Sequence, residues 1–300
     1  MKQRFITSIF IVLASVLAIL SKLLPYTIGD YIFDIFILAV TIVAAIEICN
    51  MMEKNNKKLN RFMASMYATF NYIILLICFR LVDFYVILLL EALGLIVYAL
   101  ITLLIEWIKD KKTPFKQHIT TSLNTLLACV YPSFFFCLLL NFNHVDEFQA
   151  GVKYFSLIFI IMIFAITWLT DTFAYLVGRT FKGPKLAPKI SPNKTISGSI
   201  GGLLGGIAGA MLVYALAYNV SALSAVLNMY NLAWWHFLLI GMLGSAFGQM
   251  GDLFESKLKR NANIKDSGNI FPGHGGMLDR IDAMIFVSTF VYLVIFVILL

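Results

Sequence analysis

Charge is scarce in this chain. Asp, Glu, Lys and Arg make up 13% of its 300 residues, against 60% hydrophobic residues and a mean hydropathy of +0.87. A soluble domain cannot hide that much apolar surface, so the composition excludes a globular soluble enzyme and implies an all-α polytopic membrane protein. Cysteine is rarer. Cys49, Cys78, Cys129 and Cys137 show no paired spacing and lie in or beside apolar segments. That excludes a disulfide framework or a zinc site and leaves them as small buried hydrophobes. No Walker sequence occurs, and no strand precedes the glycine-dense stretch from Gly198 to Gly209, so it is no dinucleotide fingerprint. Acidic residues number 16 against 23 basic ones.

What the chain has instead is apolar runs of membrane-crossing length. They fall at Phe5–Leu24, Tyr31–Ile48, Phe62–Phe79, Tyr85–Ile108, Ile119–Leu140, Tyr154–Val177, Ile200–Tyr218, Leu232–Met250 and Met277–Leu300, about nine spans. Lys2 and Arg4 before the first run resemble a signal peptide, but the run is long and no small-residue cleavage site follows. It reads as an uncleaved first helix. With the N-terminus cytoplasmic, every basic residue except Lys22, Arg80 and Lys153 falls in a cytoplasmic segment, as the positive-inside rule requires; the C-terminus is then outside. The net charge of +7 therefore needs no nucleic acid to explain it. Residues 1–150 hold five spans whose acids, Asp34, Glu47, Glu91 and Glu106, read as packing or snorkelling polar residues. Residues 151–300 carry glycine-rich spans and long charged loops, and are expected to be the catalytic region.

Three constellations there carry chemistry. Along a helix, Asp252, Glu255, Ser256 and Lys259 share one face at the membrane edge. A purely lipid-binding basic helix accounts for Lys257 and Arg260 but not for Asp252. Next comes Gly273-His274-Gly275-Gly276 before Asp279, Arg280 and Asp282. Glycines let successive backbone N–H groups converge, and a following helix N-terminus suits phosphate. Asp279 and Asp282 lie one turn apart; with Asp252 they suit Mg²⁺, or else they simply favour a helix N-terminus. The third is Asp171 near the cytoplasmic end of the sixth span, followed by a basic, hydroxyl-rich loop holding Lys189, Ser191 and Lys194. Such a loop fits an anionic ligand, as it also fits anionic lipid. Gly198, Gly202 and Gly206, with Gly201, Gly205 and Gly209 beside them, suit close helix packing more than ligand contact. His118, His144 and His236 read as loop or interface residues, and Trp234 and Trp235 as an aromatic belt.

The run from Ser256 to Asp282 resembles the signature of the phosphatidate cytidylyltransferases (CDP-diacylglycerol synthases), S-x-apolar-K-R-x4-K-D-x-G…H-G-G-x-x-D-R-x-D. Ser256, Lys259, Arg260, Lys265, Asp266, Gly268, His274, Gly275, Gly276, Asp279, Arg280 and Asp282 occupy its fixed positions. The segment from Asp171 to Thr195 is similar to the family's upstream K-I-S-P-x-K-T-W-x-G region, with Ile196 at the tryptophan position and Ser197 where Glu or Gln often follows. The resemblance covers the C-terminal half strongly, while the first five spans match only in being apolar. It implies transfer of the cytidylyl group of CTP to phosphatidate, giving CDP-diacylglycerol and pyrophosphate. It further implies Mg²⁺ at Asp252 and Asp279, with a monovalent cation such as K⁺ sharing the site, and catalytic roles for Ser256, Lys259 and Asp282. Substrate contact falls to Asp171, Lys189, Ser191, Lys194, Arg260, Lys265, Asp266, Gly273, His274, Gly275, Gly276 and Arg280. A homodimer in a bacterial inner membrane, its site facing the cytoplasm, completes the expectation. A phosphate nucleophile is already ionised near neutral pH, so His274 is assigned to loop geometry or phosphate contact rather than to base catalysis. Two other readings stand beside this one: a CTP-dependent lipid-alcohol kinase, and a transporter, which leaves the long cytoplasmic signature unexplained.

Overall fold

In a computed structural model the described residues are 2–24, 28–79, 81–148, 154–271, 273 and 275–299. Chain order gives α1 (Lys2–Ser21), α2 (Ile28–Lys54), α3 (Arg61–Cys78), α4 (Phe84–Lys109) and α5 (Phe115–Ala128). A kinked segment, Cys129–Phe134, joins α5 to α6 (Phe135–Asn143); Tyr131 is extended there (φ −119°, ψ 117°), and Pro132 removes a backbone donor. Then follow α7 (Val145–Phe148), α8 (Phe155–Phe181), the antiparallel pair β1 (Lys185–Ala187) and β2 (Ser191–Thr195), α9 (Ile196–Asn219), α10 (Ser221–Met229), α11 (Trp234–Asn261) and α12 (Leu278–Leu299).

Among the described residues, eight helical runs are long and apolar enough to cross a membrane: α2, α3, α4, the run from α5 through α6, α8, α9, α11 and α12. They match eight of the nine expected spans. The remaining one corresponds to α1, whose described apolar stretch is Ile9–Ser21. The helix itself is 20 residues long, about 30 Å at 1.5 Å per residue. The protein is all-α and polytopic.

The chain forms two compact units, Met1–His144 with Leu258–Asp279, and Val145–Lys257 with Arg280–Leu300. In the first, the acids of the apolar spans are matched by polar partners. Asp34 is fully buried and meets Tyr72 Oη at 2.8 Å, Asn143 Nδ2 at 2.9 Å and His144 Nε2 at 2.8 Å. His144, expected at a loop or interface, is therefore a core residue. Glu91 accepts from Asn141 Nδ2 at 2.5 Å, and Glu106 from Asn60 Nδ2 at 2.6 Å. The four cysteines are free, and Cys49, Cys129 and Cys137 are buried. In the second unit, α9 uses its glycines on two sides. A Cβ at Gly209 would stand 2.7 Å from Ala165 O of α8, and one at Gly241 of α11 would stand 2.7 Å from Gly206 O. Hence Gly201, Gly205 and Gly209 admit α8 while Gly202 and Gly206 admit α11, the small-residue packing expected of helices in lipid.

Candidate active site

In the second unit, α8, the β hairpin, α9 and α11 enclose a cavity of about 560 Å³. Local sequence explains its walls. Lys182 (φ 53°) and Gly183 (φ 102°) end α8 by turning the chain back through the left-handed region. Thr195 then caps α9, its Oγ1 accepting from Gly198 N at 3.1 Å. Ser197 donates to Lys182 O and clasps the same corner. Asp171 of α8, Lys194 of β2 and Asp252 of α11 all line the cavity. The Lys194 ammonium pairs with Asp252 Oδ2, and Ser256 Oγ stands 3.4 Å from Asp252 Oδ1. The charges of Lys194 and Arg280 act on Asp171, and those of Asp171, Asp252 and Glu255 act on Asp282. Three expected carboxylates, a lysine and an arginine are thus brought together. Lys189 is exposed in the hairpin turn and Ser191 opens β2; neither lines the cavity.

Sequence reasoning missed Gln249. Its Oε1 accepts from Ser199 Oγ, and its Nε2 donates to Ser199 O at 3.1 Å and to Ser245 Oγ at 3.4 Å, locking α11 to α9 at the cavity wall. The signal was present, since Gln249 precedes Asp252 by one helical turn on the same face.

The rest of the signature belongs to the first unit. Asp279, at the start of α12, receives Lys259 Nζ at 2.5 Å on Oδ1. Its Oδ2 receives Ser267 N and Gly276 N, both at 2.8 Å, and Ser267 Oγ at 3.0 Å. Phe271 N donates to Gly275 O at 3.0 Å, folding the loop; Gly273 (φ 77°) and Gly275 (φ 80°) take conformations that disfavour other residues. His274 lies outside the described residues. Lys265 and Asp266 are exposed in the preceding segment, and Arg260 Nη1 donates to Ile264 O at 3.1 Å.

An acid that the sequence reads only as a packing or snorkelling residue organises this loop. Glu47 of α2, 3% exposed, accepts from Ser267 Oγ (2.8 Å), Met277 N (3.0 Å) and Leu278 N (2.8 Å). Gly276 N, Met277 N and Leu278 N, expected to suit phosphate, are here spent on the carboxylates of Asp279 and Glu47, and Asp279 N on Ser267 Oγ. A Cβ on Gly276 or on Gly268 would overlap the Glu47 carboxylate, which is why these positions are bare.

Among the described residues no group of three or more His, Cys, Asp or Glu stands ready to hold a metal ion. Asp252 nonetheless fits a hard cation. Its side chain is 32% exposed, one oxygen already holds an ammonium, and the other has only the long Ser256 contact. The Asp279 side chain is 6% exposed, and its acceptor directions are filled by protein donors. It offers a metal an oxygen only where Lys259 or a backbone donor gives one up.

The family model described as "Cytidylyltransferase family" matches residues 2–298. Among curated proteins, the phosphatidate cytidylyltransferase of Bacillus subtilis (strain 168) is 33% identical over 166 residues, 55% of either chain. That of Staphylococcus saprophyticus is 37% identical over 129 residues, 43% of this chain and 45% of its own. The Staphylococcus epidermidis protein is 39% identical over the same length and shares. The chain spans about half the length of the curated relatives it matches.

Proposed function

This chain belongs to the cytidylyltransferase family, and from that premise we propose that it transfers the cytidylyl group of CTP to phosphatidate, as the names of its relatives suggest. The observation that carries the reading is the cavity of about 560 Å³ in which Lys194 faces Asp252 and Asp171. Its size suits a nucleotide, and Lys194 and Arg179 in its lining offer cations to a polyanion.

A phosphatidate oxygen attacks the α-phosphorus of CTP; the bond to the β-phosphate oxygen breaks and pyrophosphate leaves. Both reactants are polyanions, so the protein's task is to offset repulsion and developing charge. Lys194 and Lys259, each held on a carboxylate in this structure, exchange that partner for phosphate oxygens. Arg280 adds a second cation beside Asp171. Ser256 orients Asp252, and Gln249 holds the wall on which Asp252 stands. The attacking phosphate carries its own negative charge, so no residue is assigned as base. Magnesium on Asp252 would supply charge neutralisation, as would magnesium on Asp279 within its own unit, and a monovalent cation such as K⁺ would assist.

The reading extends to an integral protein of a bacterial inner membrane with its site facing the cytoplasm, supported by the distribution of basic residues. Chemistry is assigned to residues 151–300, the first 150 serving as supporting spans, and a second copy of the chain is the proposed partner. The deciding experiment supplies purified protein with phosphatidate and CTP labelled at the α-phosphate. Label entering lipid is the expected result. Label remaining in CDP would instead mark a lipid kinase, and unreacted CTP would remove the enzyme reading altogether.

A further inference from the structure

Taking the chain as the transferase proposed above, we infer that Glu47 is a positioning residue of the reaction, acting on Asp279 through the hydroxyl of Ser267. A carboxylate buried in an apolar helix is costly unless several donors meet it. Glu47 meets three, and all three come from the signature segment: Ser267 Oγ, Met277 N and Leu278 N. Two of them are amides that the first turn of α12 leaves without helical partners, at the end where the helix dipole favours an anion.

A helix cap alone would need only those two amides. The third contact reaches further. Ser267 Oγ has one proton, shared between Glu47 Oε2 at 2.8 Å and Asp279 Oδ2 at 3.0 Å, and its oxygen accepts from Asp279 N at 3.3 Å, so a single hydroxyl bridges the two residues. Ser267 N holds the same Asp279 oxygen at 2.8 Å, and the other Asp279 oxygen holds Lys259 at 2.5 Å. Glu47 therefore sets Ser267, Ser267 sets the Asp279 carboxylate, and Asp279 sets Lys259. The glycines agree. A Cβ built on Gly268 has Glu47 side-chain atoms as its three nearest neighbours, and one on Gly276 meets both Glu47 oxygens and Ser267 Oγ. Two bare positions in the signature thus give clearance to one side chain more than 200 residues earlier in the chain.

The test measures kcat, KM for CTP and melting temperature on the full-length protein in detergent, with α-labelled CTP and phosphatidate. Ser267→Ala leaves the Met277 and Leu278 contacts intact. It should lower kcat roughly 10- to 100-fold, as loss of an orienting partner does, with KM within about threefold and little change in melting temperature. Glu47→Gln should lower kcat by a similar factor. Gly268→Ala should also be impaired, and adding Glu47→Ala to it should cost far less than the product of the two single losses, because the collision is then gone. A merely structural Glu47 would lower melting temperature while kcat per folded molecule stayed constant. Folded Ser267→Ala and Glu47→Gln proteins with kcat within about twofold of wild type would overturn the inference. Where the Glu47 variants do not fold, Ser267→Ala decides alone. A wild-type chain that leaves lipid unlabelled overturns the transfer reading and this inference together. A wild type that labels lipid beside fully active variants overturns only the inference.

Discussion

Asp252 and Asp279 each carry a lysine, yet they differ in what else is attached. Asp252 has one well-held oxygen and one nearly idle; Asp279 has both oxygens engaged by Lys259, Ser267 and Gly276. Asp252→Asn should therefore cost activity without costing the fold. We expect a loss of at least about 100-fold in kcat, the scale seen when a group that stabilises transition-state charge is removed, with an unchanged melting temperature in detergent. Near-normal turnover would remove Asp252 from the site. Gly275 gives a second residue-scale prediction. Its φ of 80° disfavours any side chain, and an added Cβ would run into Asp279 Oδ2. Gly275→Val should weaken CTP binding more than phosphatidate binding in equilibrium titrations. The opposite ranking would assign this loop to the lipid headgroup. Asp171, Asp252, Lys194 and Asp279 were legible in the sequence because charge in an apolar chain is conspicuous. Glu47 was not, because a lone carboxylate in a span has many bland uses and its partners lie 220 to 231 positions away.

Among elements, α9 is the one whose role its sequence states most openly. Glycines spaced by four mark a helix that neighbours approach closely, and here two neighbours do so on two faces. Gly209→Ala places a methyl 2.7 Å from Ala165 O, a backbone atom that cannot step aside. The expected loss is roughly 1–3 kcal/mol, read as a lower melting temperature. Ile200→Ala, on an exposed part of the same helix, should change stability far less. Equal effects of the two changes would mean that the glycine face does not govern packing. The kinked segment at Pro132 was not foreseen within the fifth apolar run, since hydropathy reports length and polarity but not how the backbone ladder is broken.

At the scale of the whole molecule, lipid is the reason so much of the fold could be read in advance. A bilayer demands long apolar helices with satisfied backbones, and eight of them overlap the apolar runs, with ends that differ by up to eleven residues. What lipid does not dictate is which distant segments share a unit, and so the grouping of Leu258–Asp279 with the first spans had no counterpart in the sequence. The proposed orientation is open to direct test. Reporters fused after Asn56 and after Lys111 should be cytoplasmic, and one fused after Leu300 should lie outside. A cytoplasmic reporter at Leu300 would overturn the span count or the orientation.

The reach of Glu47 also imposes a timetable. During synthesis at about 5–20 residues per second, roughly 10–45 s separate the appearance of Glu47 from that of Ser267, Met277 and Leu278. Throughout that interval a newly inserted α2 carries a carboxylate whose final partners do not yet exist. Assembly of the first unit is for that reason a late event, completed only when a segment 220 to 231 positions further along the chain has been made. A ribosome stalled just before Ser267 would leave α2 in the membrane with a carboxylate that none of its three donors has reached.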